Sequence, residues 1–121
     1  MGKRPTGFPP AVRELFAARS GNCCERCGEY HSDLQDHHRR PRSMGGSRRS
    51  DTNVASNGGR ICGACHLFVE SHRSRAYDEG WLLRQSQAPL SVPVLYRGVW
   101  VLLDDEGYTY RIPTPVGGVA S

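Results

Sequence analysis

Long hydrophobic runs are missing from this chain. No stretch of its 121 residues approaches the length of a bilayer span, and the opening "MGKRPTGFPP" has no apolar signal core. A membrane association is therefore not expected, and the cytoplasm is the simplest address. Apolar residues are scarce overall, at 37%, below the share of a well-filled globule, so a single small domain of this composition calls for an extra staple. Lysine is nearly absent, and the positive charge is carried almost wholly by arginine. An even cysteine count is lacking too. Five cysteines fit a disulfide framework poorly, and in a reducing compartment paired cysteines more often mean metal.

What the chain does have is concentrated in its middle. Net charge is +4 with a pI near 9.0, which is compatible with nucleic acid without demanding it. Arg39, Arg40, Arg42, Arg48, Arg49 and Arg60 crowd together with few acids among them. Four zinc-bound thiolates would give a site of about −2, so the distribution of charge tells more than its sum.

Residues 1–8 read as a flexible basic tail. A helix is expected over about 9–19, where Pro9 and Pro10 suit a helix start and Val12, Leu15 and Phe16 share a face, with Gly21 as the stop. "CCERCG" is a tight cysteine turn, and "DLQDHH" (33–38) reads as a short strand carrying histidines. Residues 39–56 read as a loop, and a helix is expected from Ala64 to about Tyr77 with Leu67, Phe68 and Ala76 as buried positions. After Gly80, three segments rich in Val, Leu, Trp and Tyr, with turns at Arg97-Gly98 and Asp104 to Gly107, indicate a small hairpin or meander. Trp81, Trp100, Tyr108 and Tyr110 are expected to be core there, with stacking on bases as the alternative. Residues 116–121 read as a disordered end. The organisation expected is one domain, 1–121, with a core at 9–79 and a β extension at 80–115.

Two cysteine pairs, Cys24-x-x-Cys27 and Cys62-x-x-Cys65, each let both thiolates face one ion, and together they offer the four tetrahedral ligands of a structural zinc. Two unrelated turns are the alternative. Cys23 is the odd thiol, and its spacing to Cys27 is the less usual one. Three of the five histidines lie beside these pairs or in the basic stretch: His37 and His38 within "DHHRRPRSMGG", and His66 directly after Cys65. On a strand, His37 and His38 would face opposite ways, so one can take a metal while the other does something else. In isolation the pair would read as surface histidines.

The order CxxC, "DHHRRPRSMGG", Asn57 and "CGACH", over roughly residues 24–70, resembles the HNH endonuclease family in its zinc-stapled form. His38-Arg39-Arg40-Pro41 supplies the His-x-x-Pro element, Ser43, Gly45 and Gly46 continue it, Asn57 takes the place of the central Asn, and His66 that of the final His. The resemblance implies an α+β chain with a ββα-metal (His-Me finger) core, stapled by the four cysteines and flanked by the N-terminal helix and the C-terminal β extension. It implies His38 as general base toward water. His37 and His66 would be ligands of a catalytic divalent ion, and Asn57 a holder of the loop that orients His38.

His37 stands where many members have Asp, which would favour Mn²⁺, Ni²⁺ or Zn²⁺ over Mg²⁺ more than an Asp site does, with all four ions left open as the catalytic metal. Asp36 would be a candidate substitute ligand or supporting partner, although strand alternation would turn it from His37. Arg39, Arg40, Arg42, Arg48 and Arg49 are candidates for bidentate phosphate contacts, and His72 for a phosphate contact or an exposed helix position. The implied activity is metal-dependent hydrolysis of DNA phosphodiesters, most naturally in duplex DNA, leaving a 5′ phosphate. Small stand-alone members of the family are common in phages and prophages. That implies a bacterial host cytoplasm, a role in genome packaging or recombination beside packaging proteins, and a homodimer where both strands are cut. A zinc-stapled DNA-binding or adaptor module without nuclease activity is the alternative.

Overall fold

The structure, a computed structural model, describes residues 7–42 and 49–115. Most of the expected basic tail, Ser43, Gly45, Gly46 and Arg48 of the arginine-rich loop, and the end 116–121 lie outside the described residues.

Helix α1 runs over Pro10–Ser20, with proline in its first turn and no N–H lost by placing it there. Gly21 closes it at φ +59, in the left-handed region, returning its N–H to the Ala17 carbonyl. The cysteine turn follows as a small knuckle, closed by a bridge between Cys23 and Tyr30 and by Cys24 N–H on the Glu29 carbonyl at 2.8 Å.

Strand β1, Gln35–His38, pairs antiparallel with β2, Gly58–Ile61, in a register that sets His37 opposite Gly59 and His38 opposite Gly58. Long connections usually separate two strands loosely. Here Arg39 N–H extends the ladder to the Asn57 carbonyl at 2.8 Å, and Ala55–Asn57 form a short 3-10 turn into β2. The two glycines of β2 have a packing reason. A Cβ on Gly58 would lie 2.4 Å from Phe8 Cζ and 2.6 Å from Phe16 Cζ, and one on Gly59 would lie 2.9 Å from Trp81 Cζ3. The hairpin is thus pressed between Phe8 and Phe16 of the N-terminal segment on one face and Trp81 on the other.

Helix α2 spans Gly63–Ser71 and α3 spans Arg73–Glu79. The single helix expected from Ala64 to Tyr77 is broken at His72, whose φ −125 and ψ 62 are not helical. No proline or glycine forces this. The break redirects the chain so that Ala76 enters the core beside Val69. Leu67 is not buried as expected but 66% exposed. The inward face of α2 is set instead by Cys65 and Val69, four residues apart.

The C-terminal part is a three-stranded antiparallel meander, β3 (Val94–Tyr96), β4 (Val99–Leu103) and β5 (Thr109–Arg111). Its first turn is Arg97-Gly98, both at positive φ (51 and 82), as a two-residue hairpin loop requires. In the second turn Asp104 Oδ1 accepts the N–H groups of Glu106 and Tyr108. "GWLLRQ" is not a strand: Trp81, Leu82 and Leu83 are buried in an irregular segment, tied by Leu83 N–H to the Arg39 carbonyl at 2.7 Å. Trp81 is core, as expected. Tyr108 and Tyr110 are exposed: Tyr108 sits in the turn before β5, and Tyr110 lies on β5, an edge strand whose residues all face solvent. Among the described residues, three α-helices and two small antiparallel sheets make an α+β arrangement. No helix among the described residues is long and apolar enough to cross a membrane.

Candidate metal centres

The first centre is built by the knuckle and the start of α2. The sulfur atoms of Cys24, Cys27, Cys62 and Cys65 all lie within 4.8 Å of one another. A tetrahedron with zinc–sulfur bonds of about 2.3 Å has sulfur–sulfur edges of about 3.8 Å. The Cys27–Cys62 separation is 4.0 Å, so the quartet fits that ion. Cys23 is outside the group, and Cys24 is the member of that doublet whose sulfur could reach the ion.

The surroundings favour a thiolate at Cys24 but not at Cys27, whose pKa burial pushes up. Burial acts to raise the Cys24 pKa, but the N–H groups of Cys27, Cys62 and Arg26, each 3.4 Å from its sulfur, outweigh it and bring the thiol down to about 7. Cys65 is pushed up, first by burial and then by the neighbouring Cys24 sulfur, although the Arg26 guanidinium donates to it at 3.2 Å. A bound dication would reverse that balance. Arg26 also holds Glu79 of α3 through two bonds, at 2.9 and 3.2 Å, and lies over the Phe68 ring at 4.0 Å. One side chain therefore links the cysteine quartet, α2 and α3.

Glu25, between the ligands, points the other way. It is fully buried and accepts both Arg19, at 2.6 Å, and the Arg60 N–H of β2, at 2.8 Å. The knuckle is so fastened to the hairpin. Arg97 of the meander adds bonds to the carbonyls of Ser20, Cys23 and Cys24.

The second group lies around the end of β1. His37 faces inward and is 7% exposed, with Nε2 donating to the Trp81 carbonyl at 2.7 Å. That bond fixes the tautomer and leaves Nδ1 as the lone-pair nitrogen. Burial holds its pKa down at about 4, reinforced by His66 and His38. His66, in the first turns of α2, brings its ring to 5.5 Å from that of His37, edge to face. Glu70, one helical turn on, places Oε2 at 3.5 Å from His66 Nε2. These three donors suit a divalent ion chemically. They are not gathered as tightly as the cysteines, which form the one group among the described residues with three or more metal-ligating atoms within 4.8 Å of each other.

His38 faces the opposite side of β1. Its Nε2 bonds Asn53 Oδ1 at 2.7 Å and its ring stacks on Phe8 at 4.0 Å between centroids, 14° from parallel. Burial lowers its pKa, Asn53 and Asp36 act to raise it, Arg42 lowers it, and the net shift is downward. His38 is therefore neutral near pH 7. Asn57 is fully buried and fully bonded: Oδ1 accepts Arg40 N–H at 2.8 Å, and Nδ2 donates to the carbonyls of Arg40 (3.2 Å) and Thr52 (2.8 Å). It ties the two ends of the loop that starts just after His38.

The arginines divide. Arg39 is not a phosphate contact: it is completely buried, and its guanidinium donates to the carbonyls of Gly80, Ser56, Pro89 and Val92 at 2.7–3.2 Å. Those carbonyls sit at turns or in irregular chain with no strand partner, so a multi-donor side chain satisfies them. Burial, with Arg19 nearby, holds its pKa down at about 9, and it remains charged. Arg40 is likewise inside, paired with Asp51 and bonded to the Gln87 carbonyl at 2.8 Å. Arg42 and Arg49 are exposed, with Arg49 donating to the Gln85 carbonyl at 2.6 Å. Arg48 lies outside the described residues. Asp36 is not at His37 but in ion pairs with Arg60 (2.9 Å) and Arg13 (3.6 Å). His72 is exposed and stacks on Phe68 at 4.7 Å.

Asn53, Glu70, Glu25 and Arg26 went unread in the sequence. Glu70 had a usable signal, its i,i+4 spacing from His66 on one helix. The other three are polar residues in polar surroundings, and only the folded chain gives them partners. Comparison with protein-family models finds no matching model, and comparisons with curated proteins and with solved structures find no match.

Proposed function

We propose that this chain is a divalent-metal-dependent DNA endonuclease of the HNH kind, with the β1–β2 hairpin and α2 forming a ββα-metal core. The observation that carries the proposal is the meeting of His37 and His66 rings at 5.5 Å across the strand–helix junction, while His38 turns to the other side of β1. His37 Nδ1, His66 and Glu70 would hold the catalytic ion, and the four cysteines the structural zinc. Bound there, such an ion would supply positive charge to the scissile phosphate and the leaving 3′ oxygen.

His38, neutral near pH 7, accepts the proton of the attacking water on Nδ1. The water oxygen bonds phosphorus, the bond from phosphorus to the 3′ oxygen breaks, and the 5′ phosphate remains on the downstream product. Asn57 keeps the loop after His38 closed, so the imidazole does not drift from the reacting phosphate. Exposed Arg42 and Arg49, with Arg48, would meet the DNA backbone. A single such centre cuts one strand, so double-strand cleavage calls for a homodimer. A phage or prophage setting, in the host cytoplasm beside packaging proteins, is the context proposed.

Plasmid cleavage across Mg²⁺, Mn²⁺, Ni²⁺ and Zn²⁺ tests this beside His38→Ala. Wild type should nick or linearise the plasmid, and the variant should lose about 10²–10⁴-fold. Equal cleavage by both would sink the assignment of His38.

A second proposal is a zinc-stapled DNA-binding or adaptor module. It is favoured by the contrast between the tight cysteine quartet and the looser His37–His66–Glu70 group. Metal-independent DNA binding with no cleavage under any ion would establish it.

A further inference from the structure

His38 is held by more than its strand. Its ring lies flat on Phe8, 4.0 Å away and 14° from parallel, and Phe8 is itself buried, edge-on to Phe16 at 4.8 Å and 81°. A stack fixes the plane of an imidazole but still allows a half-turn about Cβ–Cγ, which exchanges Nδ1 with Cδ2 and Nε2 with Cε1, and it leaves the tautomer unset. The bond from Nε2 to Asn53 Oδ1, at 2.7 Å, removes that freedom. Asn53 lies in the bend before the 3-10 turn Ala55–Asn57, so the acceptor comes from the far end of the loop that begins after His38. Asn57 fastens that same stretch to Arg40 and Thr52.

We infer that Asn53 and Phe8 form a two-sided clamp that selects one tautomer and one orientation of His38, with Nε2–H on Asn53 and Nδ1 presented as the proton acceptor. Asn53 is a positioning residue and acts only through His38. This deepens the endonuclease proposal and rests on it for its catalytic meaning. An amide suits the task because its oxygen accepts one hydrogen bond while adding no charge beside a scissile phosphate. The side chain of Phe8 supplies the second constraint and no polar atom that would compete with Asn53 for the ring nitrogens.

The test uses the full-length zinc-loaded protein with ¹⁵N-labelled histidine, at mildly alkaline pH where the imidazole is neutral. Wild type should show His38 as a single Nε2–H tautomer. Asn53→Ala should give a mixture of tautomers and Asn53→Asp, which keeps an acceptor oxygen, should restore the single form. Phe8→Leu should keep the tautomer but broaden the His38 signals. Plasmid cleavage by Asn53→Ala should fall about 10-fold or more in kcat with KM little changed. A wild-type Nδ1–H tautomer, or an Asn53→Ala spectrum identical to wild type, overturns the clamp. Loss of the folded histidine pattern in Asn53→Ala is controlled by Asn53→Asp, whose tautomer alone then decides. If wild type fails to cleave but shows the Asn53-dependent tautomer, the nuclease proposal falls and the clamp stands. If it cleaves without that dependence, the reverse holds.

Discussion

The cysteine quartet and the histidine group sit side by side, joined by the Cys65–His66 peptide bond, yet they are assembled on opposite plans. In the quartet, two tight turns bring four identical donors to one point, and N–H donors gather on two of the sulfurs: three backbone groups on Cys24, Arg26 on Cys65. In the histidine group, adjacent residues are pulled apart. His37 is drawn inward to the Trp81 carbonyl and His38 outward to Asn53 and Phe8, while Arg39 and Arg40 disappear into the interior. The quartet concentrates identical chemistry, and the strand end distributes different chemistry to separate faces. A structural site gains from the first arrangement and a reactive one from the second.

The largest way to separate the two is to remove the quartet. Structural zinc contributes roughly 10–16 kcal/mol in small zinc-dependent domains, more than a small domain has to spare. Cys62→Ser, or a strong chelator, should release zinc and abolish the cooperative thermal transition, measured by metal content and circular dichroism together. His66→Ala should leave both intact. A folded, cooperative, zinc-free protein would contradict the quartet as a staple.

Next in size is Arg39. Arg39→Met keeps much of the side-chain volume and strands the carbonyls of Gly80, Ser56, Pro89 and Val92. Unsatisfied buried polar groups cost roughly 1–3 kcal/mol each, so a loss of more than about 3 kcal/mol in denaturant unfolding is expected. A neutral effect would show that water reaches those carbonyls.

His37 gives a comparable effect that depends on pH. Its folded pKa is about 4 against an ordinary 6.5, so below 6.5 the unfolded chain takes up a proton that the folded chain refuses. Stability is therefore fully present above about pH 6.5 and falls as pH drops toward 4, by about 3 kcal/mol over that window for the chain without an ion on His37. Urea midpoints taken through that range should show the slope in wild type and lose most of it in His37→Asn.

The two groups also differ in how legible they are in the sequence. The cysteine quartet was legible because each CxxC turn is a local constraint and only the pairing of the two is long-range. Helix α1 and its stop at Gly21 were legible for the same reason. The fate of Arg39 and Arg40 was not. A run of arginines in a polar stretch reads as solvated, and only the irregular carbonyls of residues 80–92 show why two are buried. The break at His72 has no local breaker and comes from the demand that Ala76 join the core. Asn53, with no pattern around it, became visible only through the 2.7 Å bond to His38.

The smallest effect on stability tests the division of the arginines most directly. Arg42 is exposed and two residues beyond the buried Arg40. Arg42→Ala should change unfolding free energy by less than about 0.5 kcal/mol. If its guanidinium meets a phosphate, duplex binding should weaken alike across sequences, and the slope of log affinity against log salt should shrink by about 0.9. Arg39→Lys, by contrast, should leave that slope alone in whatever fraction stays folded. An Arg42→Ala protein that loses stability and keeps its salt slope would mean that charge on this loop serves the fold throughout, and the phosphate contacts would then have to be sought on another face of the chain.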